Sequence, residues 1–434
     1  MKLTRDDNFC ICGDYIITSS LSTMPNPRVF DIRGRSLKLE SAEDVSPLLE
    51  GHDPTIIEEI YLGGNTIGVD ASKAFAAFID KTQTLRVPSL FIFALNLADA
   101  CVLQIADLSN IFIGRLITEI PQSLEALCTS LIPKSTLIEI NLSDNAFGER
   151  SVDPLLPLFA QNTHFQNLRL NNNGLGPAAG VRVANALRDS ARRSKALGQK
   201  SNLRMVICGR NRLENGSAGA FADAFAEHGT LEEVRMPQNG IWMAGIRELA
   251  GGLSKCANLR YLDLQDNTFT DDTPEGLSAV KAWADTLAHL PSLTTLNLSD
   301  CVLSHDGEVP SVLQTLAKGS NLKLVDLQLQ NNNLDAKSVE LLANSISTHL
   351  LGLKRLDLQA NDADEEDERY DTIREALSER GGRLIVTEDD EEKEQEALAA
   401  QEEEEEEREK EAPTPAADKA ADALANLLEN VHIK

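Results

Sequence analysis

The chain has 434 residues, of which 68 are Asp or Glu and 41 are Lys or Arg, so its formal net charge is −27. This charge excludes a general nucleic-acid binder, because phosphate binding needs a basic face, and it argues against electrostatic docking on anionic membranes. Hydrophobic residues make up 42% of the chain but aromatic residues only 4%. That ratio favours a core built of many small aliphatic layers.

The N-terminal residues 1–23 carry no repeat pattern and lack the apolar stretch of a secretory signal, so we expect a disordered extension. The seven cysteines are odd in number and irregularly spaced. Such usage is typical of reduced thiols in a cytosolic or nuclear protein rather than of a disulfide framework.

From Met24 onward, the pattern L-x-x-L-x-L-x-x-N recurs along the chain. Its copies are Phe30/Ile32/Arg35, Ile57/Ile60/Leu62/Asn65, Val102/Ile105/Asn110, Leu137/Ile140/Leu142/Asn145, Phe165/Leu168/Leu170/Asn173, Leu203/Val206/Cys208/Asn211, Leu231/Val234/Met236/Asn239, Leu259/Leu262/Leu264/Asn267, Leu293/Leu296/Leu298/Cys301, Leu324/Leu327/Leu329/Asn332 and Leu353/Leu356/Leu358/Asn361. The pattern therefore predicts about eleven repeats.

Each L-x-L core is a short strand with alternate residues pointing inward, and the Asn amide satisfies backbone groups in the turn that follows. A helix-compatible segment completes the unit, and units must stack because a single one cannot bury its apolar face. The predicted fold is an α/β leucine-rich-repeat solenoid, a horseshoe with parallel strands on the concave face and helices on the convex face.

Two spacings exceed the usual 28 residues between successive turn asparagines. Asn173 and Asn211 are 38 residues apart, and the excess falls in the basic stretch Arg188–Lys200, where we expect a loop. Asn65 and Asn110 are 45 residues apart, and the excess matches the apolar segment 86–102. We expect that segment to be foreign to the repeat, as a retained intron would be.

The C-terminal region differs in kind. Asp364–Arg380 is typical of a polar capping helix, and Leu384–Thr387 of a final strand. The repeat domain then spans 24–387, followed by an acidic low-complexity tail, 388–411, and an amphipathic segment, 412–434. The tail has 15 acidic and 3 basic residues, so we expect it to be solvated or disordered. Its acidity serves either solubility or weak attraction to basic partners. In the last segment, Leu424, Leu427, Val431 and Ile433 fit a loose nuclear-export spacing.

Motifs for self-contained catalysis are missing. The chain has no phosphate-binding loop, no dinucleotide fingerprint, no H-E-x-x-H and no G-x-S-x-G, and its histidines are scattered. We therefore expect no cofactor and no metal, and we disfavour a hydrolase. A concave repetitive surface without catalytic motifs indicates a protein-binding surface.

Several segments are more specific than generic repeats. They are Ser109–Arg115 (SNIFIGR), Leu142–Gly148 (LSDNAFG), Leu170–Gly176 (LNNNGLG), Ile207–Gly216 (ICGRNRLENG) and Leu262–Thr270 (LDLQDNTFT). With the acidic tail, the chain closely resembles the Ran GTPase-activating proteins in their fungal form. The resemblance implies a protein that binds the GTPase Ran in its GTP form, with or without a Ran-binding protein, and speeds hydrolysis on the partner rather than acting as an enzyme itself. It also implies a role in nucleocytoplasmic transport and a cytoplasmic protein, with nuclear-envelope association or active nuclear export as variants.

The resemblance also implies site residues. The family uses no arginine finger, and an Asn that orders the catalytic glutamine of Ran matches Asn172. An arginine required for activity matches Arg115, and an arginine pair matches Arg210 and Arg212. We add the turn asparagines Asn145 and Asn239 as expected partner-binding residues.

Each residue also has an ordinary explanation. Asn173, not Asn172, holds the structural turn position, which leaves Asn172 free to face a partner. Arg115 could be a solvated loop charge, and Arg212 could pair with Glu214. The competing hypothesis for the whole chain is a binding scaffold that resembles the ribonuclease-inhibitor type and has no catalytic effect. We expect a monomer, because both ends of the solenoid are expected to be capped.

Overall fold

The computed structural model describes residues 26–82, 103–271, 273–305, 307–396 and 399. The expected extension 1–23, the insertion 86–102, most of the acidic tail and the segment 412–434 lie outside these residues, apart from the first positions of the tail. No helix in the described ranges is long and apolar enough to cross a bilayer.

Twelve short parallel strands form one continuous sheet, in which each strand pairs with the next repeat along the chain. These strands are β1 (Val29–Asp31), β3 (Glu59–Tyr61), β5 (Ile105–Asp107), β6 (Glu139–Asn141), β7 (Asn167–Arg169), β8 (Met205–Ile207), β9 (Glu233–Arg235), β10 (Tyr261–Asp263), β11 (Thr295–Asn297), β12 (Asp326–Gln328), β13 (Arg355–Asp357) and β14 (Arg383–Ile385). A second, two-stranded parallel sheet joins β2 (Lys38–Leu39) to β4 (Thr66–Ile67). The predicted solenoid and its eleven repeats are confirmed, and the final strand follows them.

Helices connect successive strands and pack on one another in chain order. They are α1 (Ala42–Leu49), α2 (Val69–Asp80), α3 (Ile120–Leu131), α4 (Leu156–Gln161), α5 (Gly176–Ala196), α6 (Glu214–His228), α7 (Met243–Leu253), α8 (Pro274–Leu287), α9 (Ser311–Leu316), α10 (Ala336–Ile346) and α11 (Arg369–Ser378). Within the described ranges, short 3-10 helices occupy Pro54–Ile56, Glu149–Ser151 and Asp153–Leu155.

The core lies between the strand layer and the helix layer. The middle residue of every strand in the long sheet is buried, from Phe30 to Leu384, while its two neighbours lie on the concave face. This alternation follows from the two-residue period of a strand. The largest buried ring, Trp283, donates its indole N–H to the Ile246 carbonyl at 2.9 Å, so the polar edge of the ring is also satisfied.

The third unit corrects the predicted register by one residue. The buried positions are Leu103, Ala106, Leu108 and Ile111, whereas Ile105 lies at the sheet surface. Pairing of Ala106 with Ile140 sets this register. A slip of one residue exchanges the faces of a strand, and burial of all four apolar side chains selects the observed alignment.

The basic stretch Arg188–Lys200 is not the expected loop, because α5 continues through it to Ala196. Leu187, Ala191 and Ser194 are buried at helical spacing, so the basic side chains belong to the outer face of an amphipathic helix. The extra residues of this unit therefore lengthen a helix.

The start of the acidic tail also departs from the expectation of a solvated run. Residues 388–396 are helical, and Glu394 is buried. Arg355 donates from Nε and Nη2 to the Glu394 carboxylate at 2.8–3.0 Å. Because Arg355 lies on β13, this ion pair holds the helical segment against the last strands.

Candidate functional site

A buried asparagine ladder holds the turns after the strands. Asn173 donates from Nδ2 to the carbonyl oxygens of Leu142 and Leu170, both at 3.0 Å, and its Oδ1 accepts the Asn145 N–H at 2.9 Å. One amide thus links two units through otherwise orphaned backbone groups, as the sequence predicts. The ladder positions are Asn65, Asn145, Asn173, Asn211, Asn239, Asn267, Asn332 and Asn361.

The two ladder residues Asn145 and Asn239 do not face a partner. Both side chains are buried, and Asn239 donates to the Cys208 and Met236 carbonyls while accepting the Asn211 N–H. Their amides are fully used inside the protein. The structure therefore places them in the framework of the solenoid, and we leave them out of the partner surface.

Along the edge where the strands end, the residue before each ladder asparagine, or before the equivalent Ile111 and Cys301, forms what we call the rim row. Gly64, which precedes Asn65, is left out because it has no side chain. The members of the rim row share a left-handed backbone with φ between 50° and 62°. They are Asn110, Asp144, Asn172, Arg210, Gln238, Asp266, Asp300, Asn331 and Ala360. This conformation is costly for residues other than Gly, Asn and Asp, and it turns the side chains away from the core.

Asn172 lies in the rim row, exposed, directly beside the buried Asn173. Its Nδ2 donates to Asp144 Oδ1 at 2.9 Å, so the neighbouring carboxylate orients the amide. The Asn172 Oδ1 accepts no hydrogen bond from any residue that the structure describes. An oriented, exposed carbonyl oxygen can accept a hydrogen bond from a partner.

Arg210 and Arg212 follow on the next unit. Both are exposed, both have left-handed backbones, and neither forms an ion pair within the described ranges. The alternative pairing of Arg212 with Glu214 is absent there. Two unpaired guanidinium groups on an acidic protein are available to a partner's carboxylates or phosphates.

Arginines on the concave face contrast with this pair. Arg169 donates to Glu139 at 2.9 Å, and Arg235 pairs with Glu233 at 2.7 Å while its guanidinium stacks over the Tyr261 ring at 3.9 Å. These positive charges are already engaged inside the chain. The rim arginines are therefore the better candidates for partner contact.

Arg115 points into the protein. Its side chain is only 7% exposed, Nη1 donates to Glu40 Oε2 at 2.6 Å, and Nη2 donates to the carbonyl oxygens of Leu39 and Thr66 at 3.3 and 3.5 Å. The ordinary explanation, a solvated loop charge, is wrong for this residue. The same hydrogen bond lowers the pKa of the Glu40 carboxyl, which stays ionised at neutral pH.

The ion pair between Arg115 and Glu40 has room only because residue 68 is a glycine. A Cβ on Gly68 would lie 3.1 Å from Glu40 Oε2 and 3.3 Å from Arg115 Nη1. Gly68 therefore makes room for the ion pair where α2 begins. Arg115 and Glu40 together fasten the loop after β5 to the small sheet of β2 and β4.

Sequence reasoning missed Glu40, Asp144 and the apolar side chains around Arg115. Glu40 lies 75 residues before its partner, so only the fold brings the two together. Asp144 could have been found, because it stands 28 residues before Asn172, one repeat away at the same position.

The sequence of the chain is similar to those of several known proteins. A family model described as Leucine Rich repeat matches residues 255–280 and 289–307. Ran GTPase-activating protein 1 of Saccharomyces cerevisiae is 35% identical over 353 residues, covering 80% of this chain and 81% of the yeast protein. Ran GTPase-activating protein 1 of Xenopus laevis is 39% identical over 213 residues, covering 48% of this chain and 34% of the frog protein. The Ran GTPase-activating protein of Drosophila melanogaster is 32% identical over 228 residues, covering 52% of this chain and 35% of the fly protein.

The stacked parallel strands and the asparagine ladder define a leucine-rich-repeat protein. Within that class, the yeast relative aligns over most of both chains. The chain belongs to the Ran GTPase-activating protein family, and the resemblance seen in its sequence is confirmed.

Proposed function

We propose that this protein stimulates GTP hydrolysis by Ran in its GTP form, with the chemistry taking place on the partner. The observation that carries the proposal is the exposed Asn172, whose amide is oriented by Asp144 and whose Oδ1 remains unused within the described chain. Small GTPases orient the attacking water with their own glutamine. A fixed asparagine carbonyl can accept a hydrogen bond from that glutamine amide and restrict its rotation.

The two kinds of arginine have different roles in this proposal. Arg115 is a positioning residue, because its Nη1 and Nη2 groups are held inside the protein by Glu40 and two carbonyl oxygens. Arg210 and Arg212 are the charges that meet Ran, and their contribution falls with increasing salt because the groups are exposed. This division supports activation without an arginine finger at Arg115.

The proposed partner is Ran in its GTP form, with or without a Ran-binding protein, engaged by a monomer in the cytoplasm. At the C-terminal end, α11 packs against β14, and the Arg355–Glu394 ion pair holds the helical segment 388–396 beside the last strands. Elements packed beside a terminal strand hinder self-pairing, which supports a monomer. The acidic body of the solenoid excludes like-charged partners and favours a basic surface on Ran.

The test is single-turnover hydrolysis of GTP on Ran with catalytic amounts of this protein. We expect Asn172→Ala to lower kcat about 100-fold, since loss of an orienting contact misplaces the reacting groups. We expect Arg210→Ala and Arg212→Ala mainly to raise KM. Arg115→Ala should lower kcat/KM because the loop is released.

Asn331→Ala is a matched control. Asn331 occupies the same rim position, has φ of 50° and donates to Asp300 at 2.9 Å, yet it lies five strands away from Asn172. It should leave hydrolysis unchanged. Full stimulation by both Asn172→Ala and Arg115→Ala would refute the site assignment, and no stimulation by the unaltered protein would favour the scaffold function.

A further inference from the structure

Large apolar side chains are concentrated on the rim near Asn172. Among the described residues, nine large hydrophobic side chains are exposed, and four of them follow strands at the carboxyl edge. Three are Ile113, Leu116 and Ile117, exposed by 51%, 66% and 42%, which we call the apolar rim patch. The fourth is Trp242, exposed by 55%.

The loop that carries the apolar rim patch buries its charged side chain and exposes its apolar ones. Its arginine is turned inward, where it forms an ion pair and two carbonyl hydrogen bonds, while three aliphatic side chains face outward. A loop that only connected a strand to a helix would gain by exposing the charge and burying the aliphatic groups. Single exposed hydrophobic residues are ordinary, but three within five positions indicate a contact surface.

The loop is also held rigidly. The Ile111 N–H donates to Asn145 Oδ1 at 2.9 Å, and the Ile67 N–H donates to the Ile111 carbonyl at 2.9 Å. Arg115 fastens the other end of the loop. The apolar groups are thus displayed at little further entropic cost on binding, which is a property of preorganised interfaces.

Trp242 is displayed in the same way. Its backbone N–H donates to Asn215 Oδ1 at 2.8 Å, and the preceding Ile241 is buried and hydrogen-bonded to Asn267. The other tryptophan, Trp283, is fully buried in the core. Tryptophan is among the side chains enriched at interface hot spots, and here it is exposed on a fixed backbone.

Both anchors lie two strands away from Asn172 along the sheet, one on each side. The apolar rim patch follows β5, Asn172 follows β7 and Trp242 follows β9, so each anchor is two strands away along the sheet. At about 4.8 Å per strand, each separation is roughly 10 Å. A standard interface of about 800 Å² per partner is roughly 30 Å wide and covers both anchors with Asn172 at its centre.

We propose that the apolar rim patch and Trp242 are two apolar anchors that bind the GTPase on either side of Asn172. The proposal rests on the proposed function, and it assigns affinity to the anchors and rate to Asn172. The occupant is Ran, because Asn172 and the unpaired Arg210 and Arg212 lie between the two anchors along the same edge of the sheet. The GTPase must therefore present two apolar depressions about 20 Å apart.

Kinetics test this division of roles. We expect Leu116→Ser and Trp242→Ala each to raise KM for Ran-GTP about 10-fold or more, with kcat within a factor of two of the unaltered protein. Leu351→Ser is the control, since Leu351 is 59% exposed but lies before β13 at the opposite edge. KM values for both rim variants that match Leu351→Ser would overturn the proposal while leaving the proposed function intact.

Fluorine NMR gives a readout independent of hydrolysis. With 5-fluorotryptophan, the chain has two labelled positions, Trp242 and Trp283. Unlabelled Ran carrying a non-hydrolysable GTP analogue should shift or broaden the Trp242 resonance and leave that of Trp283 unchanged. An unshifted Trp242 resonance at saturating Ran would refute the docking surface. A Trp242 resonance that changes with the protein's own concentration, without Ran, would reassign the surface to self-association and refute it as well.

Discussion

Asn172 and Asn173 are adjacent and chemically identical, yet they should respond to substitution in opposite ways. Asn173 is buried in the ladder, whereas Asn172 is exposed on the rim. We predict that Asn173→Ala strongly destabilises the protein, whereas Asn172→Ala destabilises it much less but lowers activity sharply.

The magnitudes follow from the hydrogen bonds that each amide makes. Removing the Asn173 amide orphans the buried Asn145 N–H, which costs about 1–3 kcal/mol, and it removes two bonds to carbonyl oxygens. Those two oxygens keep a second donor each, from the ladder residues Asn145 and Asn211. Losing the two hydrogen bonds from Asn173 therefore adds only about 1 kcal/mol for each bond, for a total cost of about 3–5 kcal/mol.

For Asn172→Ala, one exposed hydrogen bond is lost and alanine must adopt φ of 52°. Together these cost about 1–2 kcal/mol, which is still less than the cost of Asn173→Ala. Asn172→Gly relieves the backbone strain, so it should lose the same activity with a smaller stability change.

Urea unfolding followed by circular dichroism measures the free energy of unfolding, and GTP hydrolysis on Ran measures activity. The reasoning is refuted if Asn173→Ala lies within 1 kcal/mol of the unaltered protein. It is refuted equally if Asn172→Ala unfolds as readily as Asn173→Ala, because the two positions would then share one role.

Three further predictions concern other sites. Gly68→Ala should crowd the Arg115 ion pair and raise KM for Ran-GTP several-fold, with secondary structure by circular dichroism unchanged; an unaltered KM would contradict the positioning role. Burial lowers the pKa of His228 to about 4, so folding excludes a proton that the unfolded chain binds below pH 6.5. Stability is therefore fully present above pH 6.5 and lost as pH falls towards 4, by about 3 kcal/mol, and His228→Gln should remove that part of the pH dependence in urea titrations. Glu394→Gln should weaken the bond to Arg355 and speed amide hydrogen exchange in residues 388–396, whereas unchanged protection would show that other contacts hold the helix.

The repeat could be predicted from the sequence because strand, turn and helix are each local. The spacing of Asn145 and Asn173 determines which amide stacks on which, so the ladder follows from counting residues. Helix signals were weaker in the unit that contains α5, where charged side chains on the outer face concealed the buried alanines and serines beneath them.

Contacts between distant residues could not be predicted. The inward turn of Arg115 depends on Glu40 and on the carbonyls of Leu39 and Thr66, which the sequence places 49 to 76 residues away. Burial of Glu394 likewise depends on Arg355, 39 residues earlier. A charged side chain gives no local sign of whether its partner is water or another residue.

The left-handed turns of the rim row present side chains at a regular spacing along the edge of the solenoid. Each turn offers one outward side chain per unit, and hydrogen bonding between strands fixes the interval at about 4.8 Å. Substitutions can change which chemical group occupies each rim-row position, but they do not change the spacing of the strands that carry these positions. A partner that lies along this edge therefore meets one rim-row side chain about every 4.8 Å.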